Sequence, residues 1–110
     1  MLYERFKTQS ELNYQLLVGL KKHLLVAQDT TQKKHQRLRS LDNLSEVLEY
    51  VVTNINEAAE PEERALLQRF FLLLLTRVKT AIANIHHYPQ TFAQEIAFIN
   101  VLIELNNSRV

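Results

Sequence analysis

The 110-residue chain carries 13 Lys and Arg against 12 Asp and Glu, a formal net charge of +1, and it has one glycine, two prolines and no cysteine. The missing cysteines exclude a disulfide framework, a thiolate zinc site and a cysteine nucleophile, and so few Gly and Pro argue against an all-β fold, which needs many turns. The length and the abundance of helix-forming residues predict a single all-α domain over residues 1–110.

The N-terminal stretch MLYERFKTQSELNY mixes charges of both signs and holds no apolar run before a small-residue cleavage site. We therefore expect no secretory signal and a cytoplasmic location. The most apolar stretch is RFFLLLLTRV, residues 69–78, with six consecutive apolar residues. A bilayer span needs about 20, so we expect this stretch to lie in a protein core.

The first helix is predicted to begin at Thr8, which forms a capping box with Glu11, or nearer Tyr3, and to end at QDTT, residues 28–31. Its predicted inward residues are Tyr3, Phe6, Tyr14, Leu17, Leu20 and Leu24, with Leu16 and Leu25 beside them. The second helix is predicted to be capped by Asp29 and Gln32. Its apolar stripe is Leu38, Leu41, Ser45, Leu48, Val52, Ile55 and Ala59, flanked by Leu44, Val47 and Val51. A stripe this broad indicates two neighbouring helices.

Pro61 predicts the start of the third helix, because the first helical position does not need an N–H group, and the neighbouring glutamates complement the helix dipole. We expect this helix to run to about His86, because Pro89 disfavours helical geometry at Tyr88. Its first stripe is Leu67, Phe71, Leu74, Val78, Ile82 and Ile85, and its second is Leu66, Phe70 and Leu73. Leu72 fits neither stripe, and two interpretations stay open: a singly exposed leucine or an anchor for a partner.

Thr91 and Gln94 predict a capping box for the fourth helix, which should end near Asn106. Its apolar line is Phe92, Ile96, Ile99 and Ile103, with Phe98, Leu102 and Leu105 beside it. Four helices joined by short connections predict an antiparallel up-down-up-down four-helix bundle.

Charge is unevenly distributed along the chain. Residues 21–39 hold six basic side chains against Asp29, and residues 40–64 hold seven acidic ones against Arg64. In an up-down bundle the first and third connections share one end, so we expect that end to be basic and the other acidic. The basic residues expected there are Lys21, Lys22, Lys33, Lys34, Arg37, Arg39, Arg77, Lys79, His86 and His87.

Carboxylates at the start of the third helix have a ready explanation in the helix dipole. Lys33 and Lys34 lie at the start of the second helix, where positive charge is unfavourable, so helix stability does not explain them. They are interpreted as a solvated face, or as contacts to an anionic membrane surface or to a phosphorylated or acidic partner. A nucleic-acid partner is not expected, because the overall charge is nearly balanced.

Residues for catalysis or metal binding are not arranged in a recognisable pattern. The four histidines include no helical pair at a spacing of three or four, and the adjacent His86 and His87 would point about 100° apart on a helix. The Glu-x-x-His motifs of di-iron bundles are missing, and with Gly19 as the sole glycine there is no glycine-rich phosphate loop. The sequence predicts a protein that is not an enzyme and uses no metal or cofactor.

The second half of the chain resembles the enterocin A immunity family, small cytosolic proteins that protect lactic acid bacteria and their relatives from pediocin-like bacteriocins. The similar stretches are SEVLEYVVTNINEA, ALLQRFFLLLLTRV and TFAQEIAFINVLIEL. In that family an arginine precedes an apolar pair in helix 3, as Arg69 precedes Phe70 and Phe71 here. A capped fourth helix with a Glu-Ile centre, like Glu95 and Ile96, follows.

The resemblance implies a monomeric, non-enzymatic protein that is at most peripheral to the membrane. It would bind, from the cytosolic side, the membrane part of a sugar phosphotransferase permease once a bacteriocin has engaged it, and so block the pore. The implied contact surface is Lys33, Lys34, Arg37, Arg39, His86, His87 and Tyr88, with the start of helix 4.

A second interpretation is a cytosolic helix-binding module, such as a chaperone for an amphipathic segment of a secreted or flagellar partner. It is motivated by the wide apolar face of the third helix and by Leu72, and it predicts an exposed groove or a homodimer. A regulatory or antitoxin-like partner of a toxin is a third interpretation, which the residues do not separate from the second.

Overall fold

The computed structural model describes residues 9–54, 61–87 and 90–108. These ranges form four helices: α1 (Gln9–Gln28), α2 (Lys34–Asn54), α3 (Pro61–Ala83) and α4 (Ala93–Ser108). The described residues contain no strand, and none of their helices is long and apolar enough to cross a bilayer. The all-α prediction is confirmed.

The helices form an antiparallel bundle. The backbones of α2 and α1, of α2 and α3, and of α1 and α4 approach one another closely. The Phe92 N–H donates to Oε1 of Gln28 at 2.8 Å, which joins the end of α1 to the start of α4. Nζ of Lys34 lies 3.1 Å from Nδ1 of His86, which joins the start of α2 to the turn after α3. These contacts confirm the up-down-up-down order.

The connection between α1 and α2 differs from its prediction. Oδ1 of Asp29 accepts hydrogen bonds from the Thr31 N–H at 2.9 Å and from the Thr31 hydroxyl at 2.7 Å. The first carbonyl to accept a bond from within α2 is that of Lys33, 3.1 Å from the Arg37 nitrogen. Asp29 therefore caps a turn and Lys33 occupies the N-cap of α2, because an Asp side chain can bond its own backbone two residues ahead.

The other helix ends lie close to their predictions. α3 begins at Pro61 as predicted and ends at Ala83, three residues before the expected end. The first bond of α4 runs from the Ile96 N–H to the Phe92 carbonyl at 2.8 Å, so Phe92 and not Thr91 is the N-cap. α4 ends at Ser108, two residues later than expected. Thr8, Tyr3 and Phe6, named for the first helix, lie outside the described residues.

The core is built from all four helices. Its buried apolar residues are Leu17, Leu20, Leu24, Ala27, Leu41, Leu44, Leu48, Val51, Phe71, Leu74, Val78, Ala81, Phe92, Ile96 and Ile99. Tyr14 and Leu25, predicted to face inward, are exposed. On α2 the buried line runs through Leu44 and Val51, which were expected only to flank the predicted stripe. Ile55 and Ala59 lie outside the described residues.

The prediction of a second packed stripe on α3 is wrong for Leu66 and Leu73 and confirmed for Phe70, which is half-buried against the core. Leu66 and Leu73 are 66% and 61% exposed, and on α4 Phe98 and Leu105 are 40% and 49% exposed. All four lie on the sides where α3 and α4 face each other, and these two helices do not approach as closely as the other neighbouring pairs. These residues do follow the apolar periodicity of their helices, but α3 and α4 are too far apart to cover them.

Candidate partner-binding surfaces

Basic side chains from α2 and from the turn after α3 meet at one end of the bundle. We call Lys33, Lys34, His86 and His87 the basic pole; all four are exposed. The ammonium of Lys34 can only donate, so in this contact Nδ1 of His86 is the acceptor. Helical geometry places Arg39, also exposed, about 140° around α2 from Lys34, away from this contact. Tyr88 lies outside the described residues.

Arg37 was predicted to be a surface contact and is instead buried, with 9% of its surface exposed. It lies on the line of Leu41, Leu44 and Leu48, at alternating steps of four and three, which is the core face of α2. Its Nε atom is buried and has no hydrogen-bond partner in the described part of the chain.

Arg77 and Lys79 do not extend the basic pole, contrary to the prediction. Nη1 of Arg77 donates to both carboxylate oxygens of Glu95, with 2.6 Å to Oε1, and Nη2 donates to the Thr91 carbonyl at 2.8 Å. Lys79 pairs with Glu49 at 3.2 Å. Each cation is neutralised by a carboxylate of a neighbouring helix, Glu95 of α4 for Arg77 and Glu49 of α2 for Lys79.

Leu72 is 45% exposed and is not brought to the basic pole. It lies about 16 Å along α3 from the end of that helix, at 1.5 Å per residue. Its carbonyl accepts a hydrogen bond from the Thr76 hydroxyl at 3.0 Å, and Arg69 and Thr76, one turn away on either side, are exposed. The surroundings match a leucine that is exposed singly.

A surface that was missed lies where α3 and α4 face each other. We call Leu66, Phe70, Leu73, Phe98 and Leu105 the apolar seam. The rings of Phe70 and Phe98 lie 4.3 Å apart between centroids. The seam is closed at the basic end by the Arg77–Glu95 ion pair and becomes more exposed toward the start of α3. Its residues stood in the predicted stripes. Only the separation of the two helices, a tertiary property, shows that four of them are exposed and that Phe70 is half-buried.

Two smaller features involve α1. A shallow opening is lined by Leu25, Gln28, Asp29, Thr30, Thr91 and Ala93, at the end of α1 and the start of α4. On α1, partial burial and then the charge of Lys22 lower the pKa of His23. Within the described ranges no three His, Asp or Glu side chains lie close enough to hold a metal ion.

Comparison with known proteins gives no assignment. No family model, no curated protein and no solved structure matches this chain.

Proposed function

We propose that this protein is a cytoplasmic, non-enzymatic immunity protein that protects its producer from a pediocin-like bacteriocin. It acts as a monomer by binding the sugar phosphotransferase permease that the bacteriocin has engaged. The resemblance of the second half of the chain supports this role. The structural observation that carries the proposal is the basic pole, where α2 and the turn after α3 bring exposed Lys33 and Lys34 beside His86 and His87.

The basic pole suits a receptor embedded in the membrane. The cytoplasmic leaflet is negatively charged, and each Lys or Arg near it contributes about 1 kcal/mol of attraction. Lys33 and Lys34 lie at a helix start, where the dipole makes positive charge unfavourable. Their role is therefore in binding and not in stabilising the helix. The pole would orient the bundle on the membrane while neighbouring residues contact the receptor.

The test is survival of a bacteriocin-sensitive host that expresses the chain and is challenged with a panel of pediocin-like bacteriocins. The informative variant is Lys33→Glu with Lys34→Glu; glutamates at a helix start stabilise it, so lost protection would not reflect unfolding. Arg37 stays unchanged because it is buried. Arg69→Glu, which reverses a charge at an exposed site on α3 away from the basic pole, is the control.

We expect selective protection by the wild-type chain and by the control, and loss of protection in the pole variant. No protection by well-expressed wild-type chain would reject the immunity role. Full protection by the pole variant would keep that role and remove the basic pole from it.

A second candidate function, a helix-binding module, is favoured by the apolar seam. The occupant we propose is an amphipathic helix of a partner protein. Exposed Glu62 lies one turn before Leu66 and exposed Arg69 one turn before Leu73, two turns apart on the same rim. They complement a helix whose apolar face is flanked by one basic and one acidic residue at that spacing.

Light scattering and binding of a hydrophobic dye test this second function. A helix-binding module should bind the dye at the seam, and Leu66→Ser with Leu73→Ser should abolish the signal. Leu72→Ser, at an exposed leucine on another face of α3, is the control and should leave it unchanged. A monomer that binds no dye would argue against this function.

A further inference from the structure

The first turn of α2 carries positive charge that no carboxylate of the described residues neutralises. Lys33, Lys34 and Arg37 stand within five residues, and the turn contains no acidic residue. Like charges at spacings of three and four repel each other, and the helix dipole adds positive potential at the same place. The ion pairs of the described residues engage Arg77 and Lys79 and not these three cations.

Free backbone donors point out of the same turn. The N–H groups of Gln36 and Arg37 both donate to the Lys33 carbonyl, at 3.0 and 3.1 Å. The N–H groups of Lys34 and His35 precede these bonds, so they have no acceptor within the helix and are directed beyond its end. Such groups, together with the dipole, bind oxyanions.

Arg37 supplies an independent observation that points to a ligand. Its side chain is more than nine-tenths buried, and its Nε has no partner in the described residues. The guanidinium is always charged and its donors match the oxygens of phosphate. Because helical side chains lean toward the N-terminus, this donor group is aimed at the turn that carries Lys33 and Lys34.

Groups on the neighbouring elements leave this turn positive. From the turn after α3, His86 accepts from Lys34, which fixes the ammonium at the end of the bundle. In the connection before α2, Oδ1 of Asp29 accepts hydrogen bonds from the hydroxyl and the N–H group of Thr31, within the same connection.

We propose that the start of α2 is a binding site for a phosphate group, held by the ammonium groups of Lys33 and Lys34, the Arg37 guanidinium and the free N–H groups of Lys34 and His35. The ligand is free phosphate or the phosphate headgroup of an anionic lipid, which share this chemistry. The site does not depend on the immunity role and would remain if that role were rejected.

The first arm of the test is a titration of ¹⁵N-labelled wild-type protein with inorganic phosphate, at an ionic strength held constant with chloride. Saturable shifts confined to the amides of Lys34, His35 and Arg37 are expected. The second arm compares sedimentation with vesicles of phosphatidic acid in phosphatidylcholine and with vesicles of phosphatidylcholine alone. Binding only to the former, without shifts from free phosphate, would identify the lipid headgroup as the source.

The third arm compares melting temperatures. Phosphate should raise the melting temperature of the wild-type protein, because a ligand that binds only the folded state stabilises it. Arg37→Met fills the same buried space without a charge, so it should fold and lose the response to phosphate; Arg39→Met, at an exposed arginine on the same helix, should keep it. Where phosphate shifts the amides of the wild-type protein, an equal change in melting temperature of both variants would overturn the proposal. Neither phosphate shifts nor vesicle binding by the wild-type protein would also overturn it.

Discussion

Arg77 joins α3 to the start of α4 through three kinds of contact. Its guanidinium forms a two-oxygen ion pair with Glu95 and donates to the Thr91 carbonyl. It also lies over the Phe92 ring, 5.2 Å from the centroid. The Glu95 side chain is 11% exposed and that of Arg77 is 41% exposed. Removal of one partner therefore leaves the other partly desolvated, which costs more than removal of a surface pair.

Glu95→Ala should lower the free energy of unfolding by about 1–3 kcal/mol, less than the cost of breaking a fully buried pair because Arg77 retains solvent. Urea denaturation measures the change. Glu49→Ala, which breaks the exposed pair with Lys79, is the matched control and should cost at most about 1 kcal/mol. Equal losses in the two variants would contradict the assigned role of Arg77.

The connection after α1 should respond to pH through Asp29. The Thr31 hydroxyl, and then the Thr31 N–H, hold the pKa of the Asp29 carboxyl below its ordinary value. A carboxyl whose pKa is lower in the folded than in the unfolded chain stabilises the fold at pH values above its unfolded pKa. That stability is lost as the pH falls through its folded pKa. In Thr31→Val we expect the pKa of Asp29 to rise, measured by NMR titration. Thr30→Val is the control; a rise there and none in Thr31→Val would contradict the assignment.

Local chemistry decides how well single positions could be predicted. Pro61 was placed correctly because its ring is compatible with a helix start and with little of the interior. Asp29 was wrongly predicted to cap α2, because an Asp that caps a helix and an Asp that closes a turn both accept backbone N–H bonds with a side-chain oxygen. Arg37 was misplaced because charged residues are usually exposed, although its position in line with Leu41 and Leu44 was a signal for burial.

At the scale of the elements, α1 contains one residue that lowers its stability, a glycine in the helix interior. Gly19 lies in the middle of the helix without a positive φ, and an added Cβ would meet no atom within 4 Å. Glycine inside a helix is less stable than alanine by about 0.5–1 kcal/mol. The position is therefore free to take a side chain.

Gly19→Ala should raise the free energy of unfolding by about 0.5–1 kcal/mol, because alanine loses less backbone entropy on folding and fits the site. Chemical denaturation measures the change. Ala97→Gly, at an exposed site inside α4, is the reverse control and should cost a similar amount. Destabilisation by Gly19→Ala would show that α1 is packed more tightly at this position than described.

Helix existence and the first stripe of α3 were predictable because they follow from periodicity within one segment. The exposure of Leu66, Leu73 and Phe98 was not, because it depends on how far α3 and α4 stand apart. The basic pole was predicted in part: the antiparallel order brought Lys34 and His86 together, whereas Arg77 and Lys79 were neutralised by partners from other helices.

At the scale of the whole molecule, the bundle is closed by the contact between its first and last helices. Oε1 of Gln28 accepts from the Phe92 N–H across 64 positions of sequence. That N–H belongs to the N-cap residue of α4, whose ring is fully buried. The end of α1 thus supplies the acceptor that the start of α4 lacks within its own helix.

Gln28→Ala should cost about 1 kcal/mol of folding free energy, typical of one hydrogen bond, and should speed hydrogen exchange at the Phe92 amide. NMR-detected exchange measures the effect residue by residue. Gln36→Ala, at an exposed site on α2, is the control and should change neither quantity. Unchanged exchange at Phe92 in Gln28→Ala would contradict the bond.

The same bond has a consequence for synthesis of the chain on the ribosome. Residue 28 is made long before residue 92, so α1 and α2 can emerge and pair while the partner of Gln28 is still untranslated. Contacts between distant segments form late because the long loop between them must first close. We therefore expect α4 to dock last, and nascent chains stopped before Ala93 to leave the α1 surface meant for α4 open to chaperones.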